Sequence, residues 1–420
     1  MIRLLSAFVA VLFTTMSFGQ SKMDFVDSLK NQTDVKDVVH FMFNGRGGTD
    51  TVIKKHSNWS VLPSASYNPS VGFALGVITV GGKTFGNPDS TTLSVVYLGA
   101  YVSTGGLSTF EFKHNAFSSK NKWNLQGRWE AGKTVAIDNG IGTGSRSQSD
   151  GTFTFNDLVL DENRSDFPIS YNYIKFSERI YRRISDHIYV GAGLSMLVFN
   201  NITEPGKKNE LMSHNYRYSL RNGFSPHRYS ANGLLFNIQY NTRDQPNRAF
   251  NGIYADVILK LDQPWLGSEH VAEQLKIEFR KYWSLSKKDP ETVLAFWHWS
   301  NYLLGGKIPY LDLPGTGSDT YSRSGRAYVI GRFKGLSFMY DELELRVPIT
   351  RNKLLSAVTF VNTETGNNQR NVSLYKFWET GGGVGLRLLF NKYTRSNLCI
   401  DYGRGSYGDR GLFIGINEVF

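Results

Sequence analysis

Arginine side chains are concentrated in residues 305–335, a stretch rich in Gly, Ser and Pro that lies between two strand-like runs. A planar guanidinium makes forked hydrogen bonds to carboxylates, so an arginine that enters a protein interior can fix its segment in place. Connections of this length are usually functional or disordered. The arginines here are Arg323, Arg326, Arg332 and, in the following run, Arg346. We predict a loop that folds back into a cavity and docks there; the alternative is a solvated basic loop that binds lipid phosphates.

The next two strand-like runs supply candidate partners for these arginines. The candidates among their polar residues are Glu342, Glu344, Asn362 and Glu364. Because residues two apart on a strand share a face, the members of each run are expected to point inward together. The residues that we assign to loop docking are Arg326, Tyr328, Arg332, Glu344, Arg346, Asn362 and Glu364. Glu344, Glu364 and Asn362 stay open as alternative partners of Arg326.

Residues that could perform covalent chemistry are sparse. The single cysteine, Cys399, excludes an intramolecular disulfide and a cysteine-based metal cluster. Four histidines, His56, His114, His187 and His298, are scattered and are expected to lie beside no paired Ser or Cys motif. A lipid-hydrolysing barrel would need a His–Ser pair on its outer surface. We expect no enzymatic activity, no metal and no cofactor.

Alternating side chains predict that the elements around the loop are β-strands. In 71–80, bulky apolar residues occupy one face and small residues the other; the same pattern recurs in 252–261, 271–282 and 382–390. Apolar residues outward with small or polar residues inward are typical of a transmembrane barrel. Because only a closed sheet satisfies its backbone groups in a bilayer, we predict an all-β, antiparallel transmembrane β-barrel.

The predicted barrel has sixteen strands, an even number as bacterial single-chain barrels require. They are 70–80, 91–103, 106–117, 121–132, a doubtful strand near 151–160, 169–182, 187–200, 230–241, 251–261, 271–283, 291–304, 336–347, 354–364, 376–390, 396–404 and 411–420. Counting strands places the long gaps 201–229 and 305–335 outside the cell. It places the short turns 104–106 and 183–186 in the periplasm, together with both ends of the chain.

The first 60 residues predict export and a small periplasmic element. Residues 1–19 have a basic start, an apolar run and small residues before Gln20, the pattern of a secretory signal peptide. Residues 20–60 form a short periplasmic segment, and the barrel occupies 61–420. Within that segment, 34–43 has helical spacing, and its helix is expected to rest at the barrel mouth through Val35, Val38, Val39 and Met42. The alternative is a disordered tail.

Composition predicts the partners of an exported barrel. The formal net charge of +11 indicates acidic partners. For an outer-membrane protein these are lipid phosphates and lipopolysaccharide rather than nucleic acid. Residues 21–60 are a candidate docking peg for other envelope proteins.

The later part of the chain resembles the BamA/TamA family of outer-membrane assembly and translocation barrels, which also contains bacterial surface antigens. The resemblance covers residues 61–420. It rests on Asn241-Thr242-Arg243-Asp244-Gln245-Pro246 with Gly252, on Arg326-Ala327-Tyr328, on Glu344-Leu345-Arg346, on Phe360-Val361-Asn362-Thr363-Glu364 and on Leu398-Cys399-Ile400-Asp401-Tyr402-Gly403. Ala327 stands where the family has glycine and Asn362 where it has aspartate. The tandem POTRA modules of the family have no room in 20–60.

The resemblance implies a function and a second set of residues. Arg243, Asp244 and Gly252 correspond to the family's periplasmic turn. A labile seam between the first and last strands would assist insertion or translocation of proteins or lipids, with unfolded outer-membrane proteins as substrates. The residues expected at that seam are Gly72, Gly76, Gly415 and Phe420. Phe420 also fits the terminal aromatic signal of such barrels, although Glu418 stands where an apolar residue is usual. The alternatives are a structural subunit of an envelope complex and a passive pore.

Overall fold

The computed structural model describes most of the chain after residue 57 and a few residues before it. The described residues are 32–35, 37–38, 41, 58–68, 72–88, 90–144, 152–155, 158–161, 167–204, 213–320, 322–369, 372–392, 395–416 and 418–420. The predicted signal peptide, 1–19, lies outside them.

Sixteen strands form one antiparallel sheet, which confirms the predicted fold class. Its strands are β1 (Asn58–Asn68), β2 (Gly72–Lys83), β3 (Ser94–Ser103), β4 (Ser108–Phe117), β5 (Trp123–Asp138), β8 (Phe167–Ser185), β9 (Ile188–Thr203), β10 (Tyr229–Asn241), β11 (Gly252–Asp262), β12 (Ala272–Ser284), β13 (Val293–Gly306), β14 (Phe338–Pro348), β15 (Leu355–Gly366), β16 (Glu379–Asn391), β17 (Ser396–Arg404) and β18 (Arg410–Ile416). Each strand pairs with the next of this series. Between β5 and β8, the short strands β6 (Thr152–Phe155) and β7 (Leu158–Asp161) pair only with each other.

The two faces of the sheet differ as a bilayer requires. Large apolar side chains such as Val102, Ile174, Val384 and Leu412 are half or more exposed on the outer face. The inner face carries buried charges that pair across the interior: Arg179 of β8 contacts Asp256 of β11 at 3.1 Å, although two strands separate them in the sheet. The sheet therefore curls into a barrel with a polar lumen and an apolar outer surface. None of the helices among the described residues is long and apolar enough to cross a membrane.

Two errors in the predicted strand list compensate each other. Strand β1 was not predicted and begins at Asn58, before the expected barrel boundary at 61. Its sequence alternates poorly and contains Pro63, which sheets tolerate on an edge strand. Conversely, the doubtful strand near 151–160 is the β6–β7 hairpin and does not belong to the barrel. The count of sixteen is right, but every strand between β1 and the hairpin is shifted by one.

The connections separate into two ends of the barrel. The long loops 139–166, 204–228, 307–337 and 367–378 share one end, which we name the loop end, with shorter turns such as 405–409. The connections 186–187, 242–251, 285–292, 349–354 and 392–395 lie at the other, the turn end. The 104–107 turn follows the third strand and so lies at the loop end; the prediction that placed it with 183–186 is wrong because β1 was missing from the count.

One helix, α1 (His214–Asn222), packs inside the loop end. Ser213 caps it by accepting a hydrogen bond from the Tyr216 backbone N–H at 3.0 Å, and Gly223 ends it in the left-handed region with φ of 82°. The Tyr218 hydroxyl donates to the Ile308 carbonyl at 2.8 Å, which ties α1 to the base of the next long loop.

The described residues of the N-terminal segment lie at the turn end. Val35, Asp37, Val38 and Phe41 are helical. The contacts are polar: the Thr33 N–H donates to the Asn352 carbonyl at 3.0 Å, and the Lys392 N–H donates to Asp34 at 3.1 Å. Val35 and Val38 are half-buried, and Val39 and Met42 lie outside the described residues. Among the described residues, hydrogen bonds at the start of the helix attach this segment to the barrel.

Candidate functional site

The 307–337 loop folds on itself inside the lumen. Its two arms meet at an isolated bridge between Gly315 and Lys334, and the Thr316 N–H donates to the Phe333 carbonyl at 2.9 Å. Both arms hold the same carboxylate on β5: Tyr310 donates to Asp138 at 2.7 Å, and Lys334 pairs with it at 2.8 Å. The loop is therefore an ordered hairpin fixed to the barrel wall.

Arg326, at the tip of this hairpin, is buried among three carboxylates. Its guanidinium donates to Asp401 at 3.0 Å, to Glu342 at 2.5 and 3.4 Å, and to Glu344. The guanidinium carbon lies 3.8 Å from the ring centroid of Phe360, a cation–π contact. Burial opposes the charge, but the three carboxylates outweigh it and hold the pKa of Arg326 well above its usual range. Arg326 therefore stays charged and anchors the loop to β14 and β17.

The same carboxylates bind other arginines and form a continuous network. Arg346 donates to Glu344 at 2.6 Å, and Arg387 donates to Asp401 at 2.6 Å. We name this network the lumen charge cluster; its members are Arg248, Arg326, Arg346, Arg387, Glu342, Glu344, Asp401 and Glu418. These members are four cationic and four anionic groups, and Arg248 also pairs with Glu291 at 2.9 Å. Removing one member of such a buried network leaves its partner uncompensated.

Two of the three alternatives for the Arg326 partner are wrong. Asn362 donates to Glu342 at 3.4 Å, and so it contacts one of the carboxylates that bind Arg326 and not Arg326 itself. Glu364 accepts from the Thr316 hydroxyl at 3.1 Å. Glu344 is a partner, and Asp401 is a partner that sequence reasoning missed, because only the curl of the barrel brings β17 against this loop.

The alanine that replaces the motif glycine fits because the wall beside it is glycine. A Cβ on Gly381 would strike the Cβ of Ala327, and a Cβ on Gly403 would lie 3.0 Å from the Ala327 Cα. The methyl group of Ala327 thus occupies space that glycines of β16 and β17 leave open.

Tyr328 and Arg332 attach the loop to the last strands. The Tyr328 hydroxyl donates to the Thr380 carbonyl at 2.8 Å, and its ring lies 5.2 Å from that of Phe333. Burial raises the pKa of Tyr328 to about 12. Arg332 donates to Asp409 at 2.5 Å and to Asn139 at 3.3 Å. The loop therefore contacts β5 on one side of the lumen and β14 to β17, with the 405–409 turn, on the other.

The last residues of the sequence turn into the lumen and do not extend the final strand. β18 ends at Ile416, and the Phe420 ring stacks on Trp297 with centroids 5.3 Å apart. Continued alternation would have put Glu418 on the outer face with Leu412 and Ile414, where a charge is costly. Instead, Glu418 accepts from Arg387 at 2.8 Å within the cluster. The prediction of a strand through 420 is wrong for this reason.

The predicted seam residues are mostly elsewhere. Gly72 and Gly76 belong to β2 and pair with Asn68 and Ser64 of β1, so they are inside the sheet. Phe420 is in the lumen. The edge strands are β1 and β18, and Gly415 is the predicted residue that remains in one of them. Across 58–68 and 410–416, the described parts of the two edges, no backbone ladder joins them.

The predicted turn residues lie together at the turn end, between β10 and β11. Asp244 accepts from the Phe250 N–H at 2.9 Å and from Arg395 at 2.6 Å. The Arg243 guanidinium lies 4.3 Å from the Tyr254 ring centroid. Gly252 has φ of 111°, and a Cβ there would strike the Thr242 carbonyl. The contacts rigidify this turn and tie it to the β16–β17 connection.

A further polar group lies outside the lumen and contradicts one expectation. His298 was expected to lie beside no paired serine, but its Nε2 is 3.0 Å from the Ser300 hydroxyl. The signal was available in the sequence, since a His and a Ser two residues apart on a strand share a face.

Comparison with known proteins identifies the architecture. No protein-family model and no curated protein matches the sequence. Among solved structures, BamA from Haemophilus ducreyi lacking POTRA domains 1–3 aligns with a TM-score of 0.52 and 14% identity over 86% of this chain and 69% of that chain. CdiB from Escherichia coli aligns with a TM-score of 0.52 and 7% identity over 86% of this chain and 61%, less than two thirds, of that chain. The chain is thus a sixteen-stranded membrane β-barrel. It shares its fold with BamA and CdiB.

Proposed function

We propose that this barrel assists the insertion or translocation of proteins at a bacterial outer membrane, through its edge strands and its lumen-anchored loop. The observation that carries the proposal is the anchorage of Arg326, which ties the 307–337 hairpin to Glu342, Glu344 and Asp401. Such an anchor holds the wall of β14 and β17 in one geometry while the edges β1 and β18 remain free to exchange partners.

The edge strands support a role in strand exchange. β1 has eleven residues and contains Pro63, whereas β18 has seven. Unequal edges leave backbone donors and acceptors of β1 unpaired, and an unpaired edge is a template for an incoming strand. We infer that a client strand adds to β1. Lipids and lipopolysaccharide would contact the outer surface, and the loop end would face outward with the turn end in the periplasm.

A passive pore is less well supported because the hairpin crosses the lumen. Arg128 of β5 donates to the Asp319 carbonyl at 2.9 Å, and Arg332 donates to Asp409 in the turn between β17 and β18. A cavity of about 540 Å³ remains beside the hairpin, lined in part by Glu111, Glu130, Lys175 and Lys276. Hairpin residues such as Thr316 and Ile330 form part of the lining of this cavity.

A structural subunit of a larger envelope complex remains the second candidate. The polar attachment of Thr33 and Asp34 to the turn end supports it, since it presents the exposed Phe41 beside the barrel mouth. In this case partners would bind residues 21–60, and clients would not pair with β1.

Photocrosslinking distinguishes the two. A crosslinkable amino acid at Val61, which is 64% exposed on β1, should capture an unfolded outer-membrane protein added to the reconstituted barrel. The matched control is Ile238, 59% exposed on β10 within the sheet. Capture at 61 but not at 238 supports strand exchange. Equal capture at the two positions, or none, contradicts it.

A further inference from the structure

Three polar side chains form a hydrogen-bonded chain on the outer face of β13 and β14. His298 Nδ1 is 2.9 Å from Asp341 Oδ1, and His298 Nε2 is 3.0 Å from Ser300 Oγ. Trp297 and Trp299, on either side of His298 in the sequence, turn into the lumen, where Trp297 stacks on the Phe420 ring. Alternation therefore places His298 and Ser300 on the face that contacts lipid.

The order of the three groups is that of a nucleophile, a general base and a residue that orients the base. In this arrangement a carboxylate fixes the imidazole tautomer, so that the free ring nitrogen accepts the hydroxyl proton. A histidine that only needed a partner on an apolar surface would be satisfied by one carboxylate. Here both ring nitrogens have a partner, and one of them is a serine hydroxyl.

The group lies where the outer face changes from apolar to polar. Asp341 pairs in register with Thr363 of β15, and Thr363 pairs in turn with Thr380 of β16. One step toward the turn end, Leu343 and Val361 are more than two-fifths exposed. Toward the loop end, Tyr375 stacks on Trp378 at 5.9 Å, and aromatic side chains of this kind mark the membrane interface. This is the depth at which lipid acyl esters meet water.

We propose that Ser300, His298 and Asp341 form a serine hydrolase site that cleaves a carboxylic ester of a membrane lipid. Ser300 Oγ attacks the ester carbonyl carbon while its proton passes to His298 Nε2. The tetrahedral intermediate collapses, the bond to the alcohol oxygen breaks, and His298 returns the proton to that oxygen. Water from the interface then attacks the acyl-Ser300 ester with His298 as base, which releases the fatty acid and restores the serine.

Tyr302 supplies a donor for the oxyanion of this intermediate. It lies two residues beyond Ser300 on the same face, and its hydroxyl lies 4.0 Å from Met339 Sδ and hydrogen-bonds with the Tyr375 hydroxyl. Burial raises the pKa of the neighbouring Tyr375 to about 12, with Tyr302 and Asp341 beside it. When the Tyr302 hydroxyl turns from Tyr375 toward Ser300, it can donate to the carbonyl oxygen of a bound ester.

The side chain of Met339 controls access to the Ser300 hydroxyl. Ser300 is 0% exposed, and Met339 lies directly opposite it on β14. Met339 is an unbranched and flexible side chain, so its displacement opens the serine from the lipid side. Removing this cover, as in Met339→Ala, should raise the rate of acylation several-fold.

The barrel contains a matched control for the triad. His114 lies 3.2 Å from Glu178, also on the outer face, where the Trp129 indole donates to the same carboxylate at 3.0 Å. This pair is a lipid-facing histidine and carboxylate that, among the described residues, has no hydrogen bond from the ring to a serine hydroxyl. A purely structural role for lipid-facing histidines would make the two sites behave alike.

The test uses the full-length, folded barrel in phosphatidylethanolamine vesicles, with fatty-acid release measured by mass spectrometry and serine labelling by a fluorophosphonate. Wild type should release fatty acid and carry the label on Ser300. Ser300→Ala and His298→Asn should lower release by roughly 10³-fold or more, and His114→Asn should leave it unchanged. Asp341→Asn should lower kcat with little change in KM, since Asp341 positions the base.

No release by folded wild-type protein above that of empty vesicles overturns the proposal, as does release that persists in Ser300→Ala. Heat-modifiable gel mobility checks that each variant is folded. Client capture at position 61 should survive in Ser300→Ala, so failure of the hydrolase and failure of strand exchange are distinguishable.

Discussion

The Arg326 guanidinium donates to the Asp401 carboxylate at 3.0 Å, although 75 residues separate them in sequence. The pair joins the tip of the 307–337 hairpin to the penultimate strand of the barrel, β17. Asp401 also accepts from Arg387, which in turn binds Glu418. A single chain of charge-assisted hydrogen bonds therefore links the loop, the wall and the last residues of the sequence.

Replacing Arg326 should release the loop from the wall. In Arg326→Ala, Glu342, Glu344 and Asp401 lose a shared cation, which costs about 3–5 kcal/mol in comparable buried pairs. The barrel should stay folded while conductance and protease cleavage at 315–330 increase. Arg351→Ala, at an exposed arginine of the turn end, is the control and should change neither. Equal protease resistance of the two variants would show that Arg326 does not anchor the loop.

Replacing Glu418 should loosen the last residues. Its carboxylate accepts from Arg387 at 2.8 Å and from Asn397 at 2.7 Å. Glu418→Ala should lower the temperature of thermal unfolding by several degrees, because Arg387 is left with one fewer anion in a buried site. Glu273→Ala, at an exposed glutamate of β12, should shift it by less than one degree. Indistinguishable unfolding temperatures for the two variants would contradict the assigned role.

A methyl group on Gly403 should push the loop off the wall. A Cβ at this position would strike the Arg326 carbonyl at 2.6 Å and approach the Ala327 Cα at 3.0 Å. Gly403→Ala should therefore increase cleavage at 315–330 as Arg326→Ala does. Gly415→Ala is the matched control, because a Cβ there meets nothing within 4 Å. Equal protection of Gly403→Ala and Gly415→Ala would show that the loop does not pack against Gly403.

The edge strands should be the least protected part of the barrel. Backbone amides of 58–68 and 410–416 should exchange with deuterium faster than those of β12 and β13, because each edge has a ladder on one side only among the described residues. Hydrogen-exchange mass spectrometry on the folded barrel measures this directly. Protection of both edges equal to that of the central strands would show a fully bonded seam.

The sequence predicts the fold well where alternation is regular. Strands such as β11 and β12 expose apolar residues on alternate positions, so their extent and inward faces follow from period two. β1 escapes this reasoning because Pro63 and its serines break the pattern, and 152–161 is overinterpreted because a short hairpin alternates like a barrel strand. Alternation within a strand does not reveal which strands form the two edges of the sheet.

The candidate site was only partly accessible from the sequence. The inward position of Glu344 can be predicted because it lies two residues before Arg346 on the same strand. The contact of Arg326 with Asp401 cannot be predicted in this way, because it depends on the barrel bringing β17 against the loop. Glu418 could have been predicted, since a charge on the lipid face must turn inward or be paired. The His298–Ser300 spacing was visible, but it gains chemical meaning only when the neighbouring strand places Asp341 beside the imidazole.

The folding rate of an unfolded outer-membrane protein in vesicles shows whether this barrel assists insertion. Vesicles that contain the wild-type barrel should fold the client several-fold faster than empty vesicles, Arg351→Ala should match wild type, and Arg326→Ala should lose most of the acceleration. Equal rates with and without the wild-type barrel, accompanied by a high steady conductance, would contradict the account and favour a pore.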